Sequence, residues 1–301
     1  MAKGIIINNI SNIYSVEDIE NKKVYKCNVR GKIKTEEITP VVGDFVECTI
    51  LDEKNNEAVI NKVLLRTNYV KRPKIANLGQ IIFVLSMKMP KPDLLLLDKQ
   101  LAFAEFLKIK PIICINKIDL EKDEQIQKIY NLYKKIGYTV VLTQAQNGIG
   151  VDEIKNILIQ NDNKINITAF SGNSGVGKST LINQLFDKNI TQEGLISSKI
   201  KRGKNTTTAI RLYKISENNY IADTPGFSTF DIFEIPSEDL FKYFKEFNKY
   251  ECNCEYVGCS HIKEENCGIK QAMLQGNIDS ERYNRYCKIY LELKEKEKYK
   301  W

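Results

Sequence analysis

Short stretches of the first 68 residues alternate hydrophobic and polar positions. The alternation is clearest at Tyr25, Cys27 and Val29 and again at Val46, Cys48 and Ile50. A period of two indicates half-buried antiparallel strands, and turn residues such as Gly43-Asp44 and Asn55-Asn56 separate them. Four or five strands in so short a segment predict a small closed barrel. We expect an OB-fold over residues 1–68, with an SH3-like barrel or a plain sandwich as alternatives.

A different pattern covers residues 69–235, where near-continuous apolar strands are followed by helical periodicity. The predicted strands are Gln80–Leu85, Pro111–Ile115, Thr139–Leu142, Ile165–Phe170 and Asn219–Ala222. Strands that are apolar on both faces indicate a parallel sheet covered by helices on both sides. This segment is therefore predicted to be an α/β domain.

The last segment, residues 236–301, has helical spacing of its hydrophobic positions. One stripe comprises Leu240, Phe241, Phe244 and Phe247, and a second comprises Tyr283, Tyr286, Cys287 and Tyr290. A cluster of cysteines lies between the two stripes. We therefore predict a third, α-helical domain.

Composition narrows the class of protein further. With 43% hydrophobic and 28% charged residues, the 301-residue chain is not mainly disordered. The longest apolar run, Ile81–Ser86, is far shorter than the roughly 18 residues of a membrane span, and no signal peptide is recognisable. We expect a cytoplasmic monomer with no membrane partner. The net charge of +7 is compatible with a polyanionic partner.

A phosphate-binding motif follows the fourth predicted strand. The residues Gly172, Asn173, Ser174, Gly175, Val176, Gly177, Lys178 and Ser179 match G-x-x-x-x-G-K-[ST], and a helical pattern begins near Thr180. Its glycines let backbone N–H groups surround phosphates at the positive end of a helix. Lys178 would bridge the β- and γ-phosphates, and the Ser179 hydroxyl would ligate Mg²⁺.

A second motif selects the base. It consists of Asn116, Lys117, Ile118 and Asp119 and directly follows a predicted strand. The Asp119 carboxylate can accept two hydrogen bonds from guanine, whereas adenine offers no such pair. Together with the phosphate loop, this motif predicts GTP rather than ATP as the ligand. Gln144 and Ala145 follow the next strand and could contact guanine through their backbone.

Two further segments have the composition of nucleotide-sensing switches. Asp223 ends a predicted strand, where it could hold Mg²⁺ through water, and the Gly226 N–H could contact the γ-phosphate. Upstream, Thr206-Thr207-Thr208 follows Asn205, and Thr207, or else Thr206, is predicted to complete the Mg²⁺ shell with GTP bound.

The order of these motifs is unusual. The base-selecting segments precede the phosphate loop, which in turn precedes the switches, whereas GTPases usually begin with the phosphate loop. The GTPase domain is therefore predicted to be circularly permuted, which the surface position of domain termini allows. As a consequence, the second switch leads almost directly into the carboxy-terminal domain.

The cysteine cluster has the spacing of a metal site. Cys254, Cys259, His261 and Cys267 form a C-x₄-C-x-H-x₅-C pattern, and His261 is the only histidine of the chain. Three thiolates and one imidazole suit a closed, tetrahedral structural zinc site. Cys252 is an alternative ligand in place of Cys254.

These combined features resemble the bacterial family of ribosome small-subunit-dependent GTPases known as RsgA or YjeQ. The resemblance covers essentially the whole chain. It implies an OB-fold, a permuted GTPase domain and a zinc domain. It also implies GTP hydrolysis to GDP that is stimulated by the small (30S) ribosomal subunit, coupled to release, and used in late maturation of that subunit. Nucleotide contacts carry over onto residues 116–119 and 172–180, and zinc ligands onto the four residues above.

Two positions bear on catalysis. Family members usually have a histidine before the switch threonines, where this chain has Asn205, and Phe227 follows Asp-Thr-Pro-Gly. Asparagine can orient a water but cannot accept its proton. No catalytic residue is assigned; Asn205 and Thr207 are candidates, and we predict slow intrinsic hydrolysis that the ribosome assists.

Basic residues support an RNA partner, which we expect to be 16S rRNA. Between Leu195 and Ile215 there are six, namely Lys199, Lys201, Arg202, Lys204, Arg211 and Lys214, with no acid. Five more, Lys62, Arg66, Lys71, Arg72 and Lys74, lie near the first domain junction. A GTPase for another RNA assembly, such as the large subunit, and an RNA-binding module that barely hydrolyses GTP remain alternatives.

Overall fold

The computed structural model describes residues 1–30, 39–159, 164–187, 210–223 and 232–299. The chain forms two compact units. Unit 1 contains Met1–Ile82, Ala145–Ser171 and Lys178–Ser228. Unit 2 contains Phe83–Gln144, Gly172–Gly177 and Thr229–Trp301. The division into three domains at 68/69 and 235/236 stays a prediction.

Thirteen strands and six α-helices lie in the described part of the chain. The strands are β1 Ala2–Ile10, β2 Ile13–Asp18, β3 Val24–Val29, β4 Phe45–Asp52, β5 Glu57–Val63, β6 Tyr69–Lys71, β7 Lys74–Ala76, β8 Gln80–Ser86, β9 Lys110–Asn116, β10 Thr139–Thr143, β11 Asn166–Ser171, β12 Arg211–Ser216 and β13 Asn219–Asp223. The helices are α1 Leu94–Phe106, α2 Asp123–Ile136, α3 Val151–Leu158, α4 Lys178–Asp187, α5 Gly268–Leu274 and α6 Ser280–Glu297.

The amino-terminal part of unit 1 is a five-stranded barrel. Its strands are hydrogen bonded in the order β1-β2-β3-β5-β4, and β1 closes the barrel by pairing with β4. The β3–β5 pair is parallel and the other pairs are antiparallel. This order is that of the OB-fold, so the first of the predicted barrels is confirmed. The alternating pattern places Tyr25 and Cys27 in the barrel interior.

The remainder of unit 1 differs from the sequence expectation in one strand. β11 and β13 are parallel, as predicted, but β12 is antiparallel to β13 and was not predicted from the sequence. β12 also pairs with β1 at Arg211 and Asn8. Because β12 has only one fully buried residue, Leu212, its pattern lacks the continuous apolar run of a central parallel strand.

A buried acid attaches the barrel to this pair of strands within unit 1. Glu17 of β2 is 6% exposed and accepts hydrogen bonds from Lys214 Nζ at 2.5 Å and from Tyr220 Oη at 2.8 Å. Burial, followed by the charge of Glu17, raises the pKa of Tyr220, so the phenol remains a donor at neutral pH. Lys214, counted above among the basic residues available to RNA, is thus engaged inside the protein.

In unit 2, the strands are hydrogen bonded in the order β10-β9-β8, with β10 parallel to β9. Helix α1 is buried along most of its length and contains one fully buried acid, Asp98. Arg282 of α6 is also fully buried and forms ion pairs with Asp98 and with Glu246. Tyr133 Oη donates a hydrogen bond of 2.7 Å to Asp98. This network connects α1 to the carboxy-terminal segment.

The first carboxy-terminal stripe folds differently from its prediction. Instead of an α-helix, it forms 3₁₀ turns at Ser237–Tyr243 and Phe247–Lys249. Phe241 lies in the first turn and Phe247 begins the second, whereas Phe244 lies between the two turns with an extended backbone. Phe244 and Phe247 are fully buried against α6, whose second stripe forms the predicted α-helix.

No helix among the described residues combines the length and apolar character needed to cross a lipid bilayer.

Candidate nucleotide site and metal centre

The phosphate loop, residues 172–177, lies between β11 and α4 in the chain. Gly172 and Gly177 have φ angles of +141° and +100°, which L side chains rarely adopt. A Cβ on Gly172 would lie 2.1 Å from the Val84 carbonyl oxygen, and one on Gly177 would lie 2.2 Å from Asn116 Nδ2. Glycine at these two positions therefore allows the loop to pack directly against β8 and the base-selecting segment.

Asn116 joins the base-selecting segment to the phosphate loop within unit 2. Its side chain is 2% exposed, and Nδ2 donates to the Val176 carbonyl at 2.9 Å. Its Oδ1 accepts from Thr143 Oγ1 at 3.0 Å, a contact made possible by the pairing of these two residues in β9 and β10. Both the nitrogen and the oxygen of the side-chain amide thus have hydrogen-bond partners, which fixes the orientation of the side chain.

Lys117 makes a second connection to the phosphate loop. Its backbone is left-handed, with φ of +58°, and its ammonium donates to the carbonyl oxygens of Gly175 and Met89, each at 2.7 Å. Met89 belongs to the segment after β8, which the sequence analysis did not assign to the site. A backbone carbonyl leaves no signal in the sequence, because any residue can supply it.

Asp119 lies in a 3₁₀ turn, Ile118–Leu120, with an exposed side chain. None of the described residues donates a hydrogen bond to its carboxylate, which leaves both oxygens accessible to a ligand. Ile118 lies in the same turn. Gln144 follows β10, and Ala145 begins a second 3₁₀ turn with its side chain buried. The roles of these residues stay predictions.

Only some of the remaining predicted nucleotide contacts belong to the residues that the structure describes. Lys178, Ser179 and Thr180 form the first turn of α4, and Asp223 is the last residue of β13. Hydroxyl and carboxylate oxygens are donors that Mg²⁺ accepts. The predictions for Asn205, Thr207 and Gly226 lie outside the described residues, as does that for Phe227.

The predicted metal ligands come together in unit 2. The donor atoms of Cys254, Cys259, His261 and Cys267 all lie within 4.8 Å of one another. His261 Nδ1 is 3.5 Å from Cys254 Sγ and 3.3 Å from Cys267 Sγ, and those two sulfurs are 3.9 Å apart. Cys252 is exposed and is not part of this cluster, so the structure favours Cys254 as the fourth donor.

These separations fit a tetrahedral ion. Ligand bonds of about 2.3 Å for sulfur and about 2.0–2.1 Å for nitrogen place the donors of a tetrahedral zinc roughly 3.5–3.8 Å apart. Burial raises the pKa of Cys259 to about 12 and lowers the pKa of His261. The imidazole is therefore neutral, as a ligand must be, whereas the thiols need a cation to stabilise their thiolate form.

Two tyrosines and one glutamate hold the loop that carries these ligands. Tyr283 Oη donates to the His261 carbonyl at 2.7 Å, and Tyr286 Oη donates to the Ser260 carbonyl at 2.9 Å. Glu264 accepts from both N and Oγ of Ser260 at 2.8 Å and from the N–H groups of Ile262 and Lys263 at 3.1 Å. Burial opposes ionisation of Glu264, but these hydrogen bonds outweigh it and lower its pKa to about 2.

Known proteins are similar to this chain over almost its whole length. Residues 62–233 match the family described as RsgA GTPase, and residues 3–60 match the RsgA N-terminal domain. A small ribosomal subunit biogenesis GTPase RsgA of Alkaliphilus metalliredigens is 38% identical, over 99% of this chain and 100% of that protein. One of the same name from Caldanaerobacter subterraneus is 39% identical, over 98% of this chain and 97% of that protein.

Solved structures agree with this assignment. The crystal structure of YjeQ from Thermotoga maritima has a TM-score of 0.82 and 35% identity, covering 97% of this chain and 98% of that one. YloQ, described as a circularly permuted GTPase, has a TM-score of 0.81 and 31% identity, covering 98% of this chain and 96% of that one. The predicted circular permutation is thereby confirmed. The base-selecting segment packed on the phosphate loop, the Cys/His centre and these full-length matches lead to one conclusion: the chain belongs to the RsgA GTPase family.

Proposed function

We propose that this protein hydrolyses GTP on the small (30S) ribosomal subunit during late maturation of that subunit. In this proposal the subunit stimulates hydrolysis, and hydrolysis is coupled to release of the protein. The relatives reported above are named as small ribosomal subunit biogenesis GTPases. Such a role would place the protein in the cytoplasm, with 16S rRNA as its contact surface.

The observation that carries GTP recognition is the pair of connections from Asn116 and Lys117 to the carbonyls of Val176 and Gly175. They hold the base-selecting segment on the phosphate loop within one compact unit. Asp119 lies two residues after Lys117 and has an exposed carboxylate. The two connections therefore also fix the position of the segment that carries this carboxylate. This arrangement supports guanine rather than adenine as the bound base.

Two metals accompany this function. Ser179, Thr207 and Asp223 would hold Mg²⁺, which neutralises phosphate charge when GTP is bound. Zinc would occupy the Cys254–Cys267 centre, where four protein ligands leave no open position, so its role is structural. The catalytic group stays unassigned, with Asn205 and Thr207 as candidates.

Several of the basic side chains predicted to contact rRNA lie at the surface. Lys62, Lys71, Arg72, Lys74 and Arg211 are exposed. Arg66 differs from them, because its guanidinium makes two hydrogen bonds, of 2.7 and 2.8 Å, with the fully buried carboxylate of Asp44. Arg66 therefore has a structural role within the protein, as does Lys214.

Stimulation by the subunit tests the function. We expect purified protein to hydrolyse GTP slowly, and added 30S subunits to raise the rate toward the roughly 10³–10⁵-fold range that an added catalytic group gives other GTPases. Separated 50S subunits serve as the control. Fast turnover without subunits, or equal stimulation by 50S subunits, would contradict the proposal.

A substitution of Asn205 tests whether the side chain at this position limits the rate of hydrolysis. Asn205→His adds a side chain that can accept a proton near neutral pH, so we expect the unstimulated rate to rise by up to about 10²-fold. Single-turnover hydrolysis, with and without 30S subunits, measures this change. An unstimulated rate equal to that of the parent would show that this side chain does not limit the reaction.

Glu264 provides a test of the metal centre. Glu264→Gln loses the charge that binds four donors of the ligand loop, so we expect zinc affinity to fall about 10–100-fold. Glu265→Gln is a matched control, because Glu265 is exposed and its side chain makes no hydrogen bond with any described residue. Competition with a chelator measures the affinities. Equal retention of zinc by the two variants would exclude this positioning role.

A further inference from the structure

A groove in unit 2 is formed by three segments that are distant in the sequence. One wall comes from α2, a second from residues 245–250, and the third from the connection between α5 and α6. Its volume is about 410 Å³. Its floor is apolar, with Leu132, Ile136 and Ile278, and its rim carries four lysines, Lys128, Lys135, Lys245 and Lys249.

The acids of the groove are engaged by internal partners. Glu246 is ion paired with the buried Arg282, and Asp279 caps α6 by accepting from the Arg282 N–H at 2.8 Å. The four lysines of the groove lining outnumber its two acids, and one of those acids, Glu246, is already paired with Arg282.

Two of the four lysines have internal partners of their own. Lys245 Nζ lies 2.8 Å from Glu105 and 4.5 Å from the ring centroid of Tyr138. Lys128 forms a long, exposed pair of 3.4 Å with Glu281. Lys135 and Lys249 are exposed, and within the described ranges no acid lies close enough to pair with either. The groove thus presents a net positive charge above an apolar floor.

The polar groups between the lysines favour RNA over other polyanions. The amides of Asn131 and Asn277 are exposed at the rim, and each can donate to and accept from a ribose 2′-hydroxyl. The half-buried Tyr250 adds an aromatic surface against which a base or sugar can pack. An acidic peptide would satisfy the lysines but would leave no specific role for these amides.

We propose that this groove, defined by Lys128, Lys135, Lys245, Lys249, Asn131 and Asn277, binds the sugar-phosphate backbone of RNA. The inference rests on the proposed function, which brings the protein to 16S rRNA. It adds a contact surface that charge runs in the sequence do not indicate. Lys135 and Lys249 contact phosphates, and the amides contact the ribose.

The test is a double charge reversal, Lys135→Glu/Lys249→Glu, in the full-length protein. Its matched control is Lys110→Glu/Lys298→Glu, which changes net charge equally at exposed positions outside the groove. Binding to deproteinised 16S rRNA and to intact 30S subunits is measured between roughly 50 and 200 mM KCl. GTP hydrolysis without subunits is followed in parallel and should not change.

We expect the groove variant to bind both probes about 10–100-fold more weakly than the control. Its plot of log affinity against log salt should be shallower by about 1.4–1.8, for two lost phosphate contacts. Equal binding by the two variants would overturn the proposal, as would parent protein that binds 30S subunits but not the rRNA.

Weaker binding of the groove variant to intact subunits alone would indicate a protein partner and likewise overturn it. Failure of the proposed function looks different. In that case, parent protein would show no stimulation by 30S subunits, whatever the groove variant binds.

Discussion

Asp119→Ala is expected to weaken GTP binding by about 10²–10⁴-fold. The carboxylate would accept two hydrogen bonds from guanine, and a hydrogen bond to a charged group contributes about 1.5–3 kcal/mol. Together these give about 3–6 kcal/mol, and each 1.4 kcal/mol corresponds to a factor of ten. Affinity for ATP should barely change, since adenine cannot use this acceptor pair. Calorimetry with each nucleotide measures both effects.

A second substitution at the same position distinguishes loss of recognition from loss of structure. Asp119→Asn retains one acceptor and adds a donor, so it should favour xanthosine triphosphate, whose O2 accepts where the amino group of guanine donates. Asp123→Ala is the control, because Asp123 is also exposed and lies four residues further along. Parent protein that binds ATP as tightly as GTP, or an Asp119→Ala variant with unchanged affinity, would refute guanine recognition by this residue.

Arg282→Met is expected to destabilise unit 2 by about 3–5 kcal/mol. The substitution deprives Glu246 of its partner and leaves the buried Asp98 with Arg285 and Tyr133 as its remaining partners. Removing one member of a buried ion pair costs this much, and the cost here comes mainly from the unpaired Glu246. The guanidinium also lies 4.7 Å from the ring centroid of Phe244, so its loss removes packing as well. Native-state hydrogen exchange of α1 and α6 amides measures the change.

The double variant Asp98→Asn/Arg282→Met measures the coupling between these two buried charges. With the buried carboxylate neutralised, the loss of stability should be smaller than the sum of the two single losses. Lys128→Met provides a surface control, since exposed pairs such as Lys128–Glu281 contribute about 0–1 kcal/mol. An Arg282→Met protein as stable as this control would contradict the predicted cost of leaving Glu246 unpaired.

Local patterns predicted much of the fold, and the misses have identifiable causes. Alternation predicted the barrel because each strand has one buried face, as at Tyr25 and Cys27. β12 was missed because it is mostly half-buried and has little apolar signal. The stripe at Phe241, Phe244 and Phe247 was assigned to an α-helix because hydrophobic residues three positions apart fit a helical period. That spacing does not reveal the extended backbone at Phe244, which separates two short 3₁₀ turns.

The residues of the candidate site likewise fall into two groups: those that sequence motifs identify and those that only the fold brings into place. Motifs such as Gly172–Ser179 and Asn116–Asp119 can be recognised from sequence because a few neighbouring side chains determine their chemistry. Thr143 and Met89 could not be assigned, since they act on those motifs across the fold or through the backbone. Glu264 could not be assigned either, because only the folded loop brings the donors from Ser260 to Lys263 onto its carboxylate. The basic runs in the sequence do not show which of their side chains have acidic partners within the protein. In the structure, Arg66 is ion paired with Asp44 and Lys214 with Glu17.

By itself, the sequence determined which chemical groups this protein carries: a phosphate-loop motif, the carboxylate of the predicted base-selecting segment and four candidate metal donors, arranged in permuted order. Only the tertiary structure decided which groups hold them in place and which charges remain for a partner. The physical reason is the separation along the chain of the residues that determine each property. Ligand type and spacing are set within short segments such as Gly172–Ser179 and Cys254–Cys267. Burial, ion pairing and groove formation depend on segments that meet only after folding, such as Asp98 with Arg282.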